Sequence, residues 1–446
     1  MELKAPVPGP VTDTFIPARE YRDPLWDARE RERMWPHVWQ MACRVSQISE
    51  VGQFVAYEIS DESILIVRNG EQADDITAFY NVCQHRGRRL VDQMSGQLGA
   101  SIVCRFHGWR FSRQGALEQA YMEKDWNECP AFDKDKLAIP KVRVALWGGW
   151  VWINQDPNAP SFDQWIGELG PALAPFHFDE MRPKWWKTLI APVNWKTVLE
   201  AFNEGYHSGS THTCGVNYWA LRSPTAVCGD HGGFFTEGGD FTEYRNAVGS
   251  WVKPASFVEN LWANNRHLYR TLGAMVLDPG MAASDRLRDL PADTDPMAVL
   301  AALFEFTREE IEKRGAPFPA TMTLERLLTS ATDWHIFPNS IVLPTLDGAL
   351  WYRTRPNPDD RDSCIFDIWS FGRYEPGSEP TVVNEIYQGF EAFAGQCEFL
   401  EEDFANMVAV NKGMKSQGFA GSMLNPLQEG SISNFHRVLR RYVDGE

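Results

Sequence analysis

Two short motifs, Asn81-Val-Cys83-Gln-His85-Arg-Gly87 and Cys104-Arg-Phe-His107-Gly-Trp109, decide how this sequence is interpreted. Each motif offers one thiolate and one imidazole, and eighteen residues separate His85 from Cys104. Zinc accepts the same ligands, but zinc fingers usually group their cysteines in one half and their histidines in the other. Mixed halves suit a [2Fe-2S] cluster in which one iron binds both cysteines and the other binds both histidines. The motifs therefore predict such a cluster, bound by Cys83, His85, Cys104 and His107.

The residues around these motifs have the pattern of a small all-β domain. Short runs rich in Val, Ile, Phe and Tyr, separated by Gly, Asn and Asp, predict strands at Phe54–Ile59, Ser63–Arg68, Ile76–Tyr80 and Val142–Ile153. Upstream, apolar residues at helical spacing predict a helix that starts near Asp23 and ends at Pro36.

The remainder of the chain alternates helical and strand signals, which is typical of an α+β domain. It predicts a helix at Met297–Arg314, strands within Ser340–Thr354 and Cys364–Tyr374, and a long helix at Thr381–Gly413. The turn-forming residues Asp156-Pro-Asn-Ala-Pro-Ser mark the domain boundary. We therefore expect an N-terminal helical segment that packs on the second domain, then the β domain, then the α+β domain, at residues 1–38, 39–156 and 157–446.

A second group of candidate metal ligands follows Asn194-Trp-Lys. Glu204 and His207 are three residues apart, a spacing that places two residues on one face of a helix. His212 follows a Gly-Ser break, which lets the chain turn back towards His207. Two imidazoles and one carboxylate on one side of Fe(II) leave positions open for O₂ and a substrate. The pattern predicts a mononuclear iron site.

Together, the motifs C-x-H-R-G, C-x-x-H-G-W and N-W-K…E-x-F-x-E-x-Y-H…H resemble the catalytic (alpha) subunits of Rieske-type, aromatic-ring-hydroxylating oxygenases. The resemblance implies that His207 and His212 bind the iron. It also implies that Glu204 matches the family's bridging acid, which links an iron-ligand histidine to a cluster histidine, here His107, across a subunit boundary.

The resemblance also supplies the third iron ligand. Glu401-Glu402-Asp403 is similar to an acidic segment near the C-terminus of these oxygenases, and Asp403 matches the ligand position, with Glu402 as the fallback. The alternative is an acidic helix face in solvent. The chain departs from the family at Arg105, where Pro is frequent, and at Ala201, where an amide is common.

The resemblance further implies an all-β Rieske domain followed by a helix-grip catalytic domain, an antiparallel sheet with helices. Each subunit is expected to hold one [2Fe-2S] cluster and one Fe(II), with O₂ as co-substrate. Electrons are expected from NAD(P)H through a separate reductase, with or without a ferredoxin. A head-to-tail homotrimer is implied, and a small β subunit stays open.

The substrate is less defined by the residues. The segment between His212 and Leu327 is rich in Gly, Phe and Trp, which suits an apolar, aromatic or polycyclic substrate, although a plain core explains it equally well. Strand residues expected to complete the pocket wall are Phe337, Leu343, Leu346, Trp351 and Tyr352. The expected reaction is hydroxylation of such an apolar substrate, by dioxygenation or monooxygenation. The alternative is a Rieske monooxygenase that catalyses O- or N-demethylation or quaternary-ammonium oxidation.

Composition limits the partners. Lys and Arg number 43 against 60 Asp and Glu, a net charge of −17, and such a field repels nucleic acid and anionic membranes. No cationic segment precedes an apolar stretch at the N-terminus, and the longest apolar runs are too short to cross a bilayer. We therefore expect a soluble, cytoplasmic protein without nucleic-acid or membrane partners.

Two other interpretations of the metal motifs stay open. A Rieske electron-transfer protein would hold only the two irons of its cluster, and its second domain would only bind partners. A structural zinc protein would be colourless and would lack inorganic sulfide. The oxygenase interpretation differs from both because it requires a further iron that binds nitric oxide.

Overall fold

A computed structural model of the chain describes residues 14–212, 223–235, 244–245, 251–252 and 256–445. The chain divides into two compact units. One unit is Arg29–Phe162, and the other combines the described parts of Met1–Ala28 and Asp163–Glu446. None of the helices in the described ranges has the length and apolar character required to cross a bilayer.

The N-terminal segment consists of several short elements. They are β1 (Phe15–Pro17), α1 (Arg19–Arg22), α2 (Pro24–Arg29), a π-helical turn (Glu30–Met34) and a 3₁₀ turn (Trp35–His37). The helix predicted near Asp23 to Pro36 is confirmed as a continuous helical run over residues 24–37, although its hydrogen bonding changes from α to π to 3₁₀ along the run. Asp23 has extended backbone angles at the end of α1, because the following proline disfavours the helical conformation at this position.

The Arg29–Phe162 unit is all-β apart from short helical turns. Its strands are β2 (Gln40–Arg44), β3 (Gln53–Ile59), β4 (Glu62–Arg68), β5 (Ile76–Tyr80), β6 (Ser95–Gln97), β7 (Ser101–Val103), β8 (Arg110–Ser112), β9 (Leu117–Gln119), β10 (Lys141–Trp147) and β11 (Trp150–Asn154). They form a seven-stranded sheet, in the order β2-β11-β10-β5-β4-β3-β6, and a three-stranded sheet, β7-β8-β9. The run Val142–Ile153 is a hairpin, since Gly148 and Gly149 have φ of +61° and +76°.

The other unit contains an eight-stranded sheet in the order β13-β14-β17-β18-β19-β20-β12-β21. Its strands and the shorter ribbons are β12 (Arg182–Ala191), β13 (Thr225–Cys228), β14 (His231–Phe234), β15 (Tyr244–Arg245), β16 (Trp251–Val252), β17 (Asp333–Ile336), β18 (Ser340–Pro344), β19 (Gly348–Pro356), β20 (Cys364–Gly372), β21 (Asn384–Gln388) and β22 (Gly421–Met423). Neighbouring strands in the large sheet are antiparallel, except that β21 runs parallel to β12.

Helices in this unit cover the sheet. They are α3 (Phe162–Ile166), α4 (Leu169–Leu173), α5 (Trp195–Ala201), α6 (Ser208–Thr211), α7 (Phe257–Thr271), α8 (Asp278–Leu287), α9 (Pro296–Lys313), α10 (Leu324–Thr329), α11 (Phe390–Phe393), α12 (Glu398–Met414) and α13 (Gly430–Val443). Helix α9 closely matches the predicted helix Met297–Arg314. Helix α5 packs on β19, β20 and α12, so two segments distant in sequence meet over one face of the sheet.

The prediction of one long helix at Thr381–Gly413 is wrong. The segment contains β21, then α11, and only then α12. Gly389 and Gly395 have φ of +85° and +81°, a conformation that ends a helix. Strand β21 forms because the edge of β12 offers unpaired backbone groups, and the parallel pairing satisfies them.

A buried ionic network ties the N-terminal segment to α5 and α13. The imidazole of His436 lies 2.7 Å from Glu20 through Nδ1 and 2.7 Å from Glu200 through Nε2. The Tyr21 hydroxyl donates to Glu200 at 2.9 Å, and Arg440 donates to Glu20 at 2.7 Å. Burial opposes the charge on His436, but its hydrogen bonds to both carboxylates raise its pKa. The network therefore favours the protonated form of His436 between two acids.

We expect His436→Gln to lower the free energy of unfolding of this unit by about 3–5 kcal/mol, because it leaves buried carboxylates without their cation. The His436 pKa is raised above its ordinary 6.5, so its contribution is complete below that pH and disappears as the pH rises through the raised value. The Glu20 pKa is lowered below 4.5 by His436 and Arg440 despite burial, so its contribution disappears as the pH falls through that lowered value.

The largest effect of His436→Gln is therefore expected between pH 4.5 and 6.5. Denaturant unfolding followed by circular dichroism across this range and above it measures the difference. His177→Gln is the matched control, since His177 also contacts a glutamate, Glu180, but both side chains are about one-third or more exposed, at 33% and 39%. An effect of His436→Gln that is equal at all pH values would contradict the charge assignment.

Candidate functional site

The two predicted cluster loops share one backbone turn. The N–H of Gly87 donates to the carbonyl of Cys83, and the N–H of Gly108 donates to the carbonyl of Cys104, both at 3.0 Å. Each glycine has φ of +71°, a conformation that side chains with a Cβ rarely adopt. One loop follows β5 and the other joins β7 to β8. The glycines therefore fix the turns that position the candidate ligands.

These loops bring the four candidate cluster ligands together. The rings of His85 and His107 lie 4.6 Å apart between centroids, and the Nδ1 atom of each is buried without a hydrogen-bond partner. Burial raises the pKa of Cys83 to about 11, and the neighbouring Cys104 adds to the shift. Buried polar atoms rarely stay unpaired. Two adjacent cysteines and two imidazole nitrogens without partners fit a [2Fe-2S] cluster.

Aromatic side chains hold the imidazoles in place. Trp109, the last residue of the second motif, stacks on His85 at 4.7 Å with an interplanar angle of 8°. Burial and the nearby His107 lower the pKa of His85, which favours the neutral form that ligates metals. Arg105 occupies the position where the family often has Pro; its side chain is exposed and lies 3.8 Å from Asp92.

In the other unit, the three candidate iron ligands converge. His207, His212 and Asp403 each offer one ligand atom, and these atoms lie within 4.8 Å of one another. Asp403 Oδ1 is 3.5 Å from Nε2 of both histidines, and its Oδ2 is buried without a hydrogen-bond partner. Two atoms bound at right angles to one ion, each about 2 Å away, are about 3 Å apart. The arrangement fits a site with two histidines and one carboxylate.

Each of the two imidazoles is hydrogen-bonded to a carboxylate through Nδ1. Glu204 Oε1 lies 2.6 Å from Nδ1 of His207, and Glu402 Oε2 lies 3.1 Å from Nδ1 of His212. With Nδ1 donating to a carboxylate, Nε2 is free to bind a metal. The structure thus places Asp403 next to the Nε2 atoms, and Glu402, the predicted fallback ligand, on the far side of His212. Sequence reasoning did not identify this role of Glu402, because no local spacing links it to His212.

The electrostatics of the site favour a cation. Burial raises the pKa of Asp403 to about 7, an effect that Glu402 and Glu204 increase and His207 opposes. Burial lowers the pKa of His212 to about 4. Burial also disfavours the charged form of His207, but its hydrogen bond with Glu204 raises its pKa. Three acids around two imidazoles create a negative potential that a divalent cation neutralises.

Glu204 and His207 do not share a helix, contrary to the prediction. Helix α5 ends at Ala201 and α6 begins at Ser208, so both residues lie in the intervening turn. The Glu204 carboxylate accepts the backbone N–H groups of Tyr206 and His207, and these bonds replace the helical ones. The turn, rather than the spacing of residues along a helix, brings the two side chains together.

One cavity within the described residues is lined by residues other than the iron-ligand candidates. It has a volume of about 270 Å³, and its lining includes Asn265, Leu303, Leu346 and Asp347. Of the five residues predicted to form the pocket wall, Leu346 lines this cavity and the other four do not. None of the candidate iron ligands is among its lining residues. Tyr352 lies within electrostatic range of the candidate metal site. Burial raises its pKa, and the charge of Asp403 adds to this shift.

Two family comparisons match most of the chain. Residues 38–130 match the Rieske [2Fe-2S] domain, and residues 178–445 match the ring hydroxylating alpha subunit (catalytic domain). The chain belongs to the ring-hydroxylating alpha subunit family. As a family member it combines a Rieske [2Fe-2S] domain with a mononuclear-iron catalytic domain, so the predicted fold class, cofactors and oxygenase family are confirmed.

Individual relatives within the family differ in their reactions. The carnitine monooxygenase oxygenase subunit of Escherichia coli is 33% identical over 201 residues, 44% of this chain and 52% of that protein. The chain thus spans about half the length of this relative. The biphenyl dioxygenase alpha subunit of Metapseudomonas furukawaii is 24% identical over 440 residues, 92% of this chain and 82% of that subunit. A solved quaternary ammonium Rieske monooxygenase shares the fold, with a TM-score of 0.62, 16% identity, and coverage of 96% and 95%.

We expect Glu402→Gln to lower iron affinity at the mononuclear site of this ring-hydroxylating alpha subunit by about tenfold or more, because partners of metal-bound histidines tune their basicity. Chelator competition followed by iron analysis measures the affinity, and the visible spectrum of the cluster is expected to stay unchanged. Glu398→Gln is the control, since Glu398 lies exposed on the same helix. Equal iron retention by both variants would argue against the role of Glu402.

Proposed function

We propose that this chain is the oxygenase component of a Rieske-type monooxygenase that oxidises a small quaternary ammonium compound. One observation carries the proposal: the candidate ligand atoms of His207, His212 and Asp403 lie within 4.8 Å of one another. Ligands on one side of an iron leave positions open for O₂ and substrate. We assign these three residues as the iron ligands, and we assign the cluster ligands as Cys83, His85, Cys104 and His107.

The side chains of the protein prepare both metal sites. When bound, the cluster supplies electrons and the mononuclear iron activates O₂. Glu204 and Glu402 orient the two imidazoles through Nδ1, so that both Nε2 atoms face Asp403. A separate reductase, with or without a ferredoxin, is proposed to deliver electrons from NAD(P)H. Hydroxylation of a carbon next to the ammonium nitrogen consumes O₂, two electrons and two protons, and it releases one water.

Glu204 is proposed to connect the two kinds of metal site across a subunit boundary. It lies in a turn next to Tyr206, whose side chain is 55% exposed, so the turn is near the surface. Each carboxylate oxygen accepts more than one hydrogen bond, and Glu204 therefore has capacity beyond its contact with His207. By the family resemblance, the partner subunit's His107 uses this capacity in a homotrimer whose head-to-tail contacts close into a ring.

The substrate class rests on the relatives and on the charge of the site. The carnitine monooxygenase subunit and the structure of the quaternary ammonium monooxygenase both carry names that refer to ammonium compounds. Acidic side chains around the metal site attract a cation, and aromatic rings such as Tyr352 and Phe202, which stack at 4.5 Å, bind one through cation–π attraction. This proposal replaces the apolar aromatic substrate favoured by the composition of the sequence.

Dioxygenation of an aromatic ring is the second candidate. It is supported by the similarity to the biphenyl dioxygenase alpha subunit, which extends over 92% of this chain. The same iron ligands serve both reactions, so the substrate is what separates the candidates.

A substrate panel tests the proposed function. We expect holoenzyme with a surrogate reductase to oxidise at least one of L-carnitine, glycine betaine and choline, with aldehyde and tertiary amine as products, and to leave biphenyl and naphthalene unchanged. Mass spectrometry of the products measures the outcome. His207→Ala is the control: it is expected to retain the visible spectrum of the cluster and to lose all product. Formation of a cis-dihydrodiol from biphenyl would favour the second candidate.

Replacement of Glu204 by Gln tests the connection between the sites. In protein saturated with Fe(II), so that both metals are bound, we expect electron transfer from the reduced cluster to slow by about tenfold or more, because the amide is a weaker acceptor than the carboxylate. Single-turnover product yield and the rate of cluster reoxidation, followed by its visible spectrum, report the change. Unchanged reoxidation would remove Glu204 from the electron path.

A further inference from the structure

Asp333 is a buried acid with no partner. It opens strand β17, its exposed fraction is 1%, and neither carboxyl oxygen has a hydrogen-bond partner. Other buried aspartates are satisfied: Asp367 binds Arg353 at 2.6 Å, and Asp347 accepts the backbone N–H of Leu277 at 2.8 Å. A buried carboxyl group without hydrogen bonds is costly. A group of this kind needs a compensating partner, and a bound ion or ligand is one that can supply it.

Strand geometry places Asp333 on the sheet face that carries the metal site. In β17, Asp333 and His335 point to the same side because side chains alternate along a strand. Asp333 is opposite Phe234 in the register of β14 and β17. The ring of Phe234 lies 3.3 Å from the position of a Cβ on Gly205, next to Glu204. The side chain of Asp333 is thus directed towards the turn that positions His207.

Electrostatic coupling supports this position. Burial raises the pKa of Asp333 well above its ordinary value, and the charge of Glu204 adds to the shift. Asp403 and Asp333 both raise the pKa of Tyr352, after burial. Tyr352 therefore lies within electrostatic range of both Asp333 and Asp403, the latter an iron-ligand candidate.

Tyr352 belongs to a cluster of aromatic rings. Tyr352 stacks on Phe202 at 4.5 Å, and Phe366 lies 5.6 Å from Phe202. Ring faces attract cations, and quaternary ammonium groups are bound by aromatic rings in this way. A carboxyl group within electrostatic range of this cluster adds a negative charge to an apolar surface. These are the two features that a trimethylammonium group requires.

Resting on the proposed function, we infer that Asp333 is a specificity-determining residue whose carboxylate faces the cationic nitrogen of the substrate. A quaternary nitrogen donates no hydrogen bond, so its attraction to the carboxylate is purely electrostatic, and this attraction is strong where water is excluded. A neutral substrate of the same shape leaves Asp333 without a counter-charge. The residue therefore selects for charge rather than for shape.

Binding of a cation and of its neutral isostere to anaerobic holoenzyme tests the inference. Isothermal titration calorimetry compares L-carnitine, glycine betaine and choline with 3,3-dimethylbutan-1-ol, in which carbon replaces the nitrogen of choline. We expect Asp333→Asn to weaken binding of the preferred cation by about tenfold or more and to leave binding of the neutral alcohol unchanged. Asp333→Leu, an apolar side chain of similar size, is expected to show the same selective loss.

Asp347→Asn is the matched control, because Asp347 is also a buried aspartate but lines the separate cavity; it is expected to bind the cation as the unaltered chain does. Cluster spectra and thermal melting establish that each variant is folded. Equal loss of the cation and the alcohol, or unchanged cation binding in both Asp333 variants, overturns the inference while turnover of ammonium compounds still supports the proposed function. Failure of the unaltered chain to bind or oxidise any ammonium compound overturns both.

Discussion

A carboxylate that is buried without hydrogen bonds requires a positive charge beside it, and this constraint at Asp403 organises the catalytic unit. Its Oδ2 has no hydrogen-bond partner, while its Oδ1 faces the Nε2 atoms of His207 and His212. Burial raises its pKa to about 7, so a metal ion is the group that holds it charged at neutral pH. The surrounding helices and turns bring the three candidate ligands, His207, His212 and Asp403, next to one another.

The elements around the site restrict how the ligands move. Each imidazole is oriented by a carboxylate at Nδ1, and the ring of His212 also stacks on Phe399 at 3.9 Å. Helix α5, which precedes the ligand-bearing turn, is tied through Glu200 to His436 and to the N-terminal segment. Residues far from the metal site therefore support its geometry, because hydrogen bonds hold helix α5 both to α13 and to the N-terminal segment.

Asp333, and Asp403 at its Oδ2, are carboxyl groups of the described residues without hydrogen-bond partners, and we propose different roles for them. In this proposal the metal ion compensates Asp403, and the cationic substrate compensates Asp333. Both are buried, and both are within electrostatic range of Tyr352. Placing two uncompensated acids on one side of a sheet destabilises the empty protein. The same placement gives the site a preference for positively charged ligands, which an aromatic lining alone provides only weakly.

The sequence by itself determined the cluster loops, helix α9 and the order of the two domains, because each depends on local spacing: Gly87 and Gly108 fix turns within their own motifs, and apolar periodicity defines a helix. The tertiary structure alone decided that Glu402 faces His212, that Asp333 is buried without a hydrogen-bond partner, and that β21 replaces part of a predicted helix by pairing with β12. These features depend on contacts between residues distant in sequence. Local periodicity carries no information about which sheet edge or imidazole a side chain meets after the chain has packed.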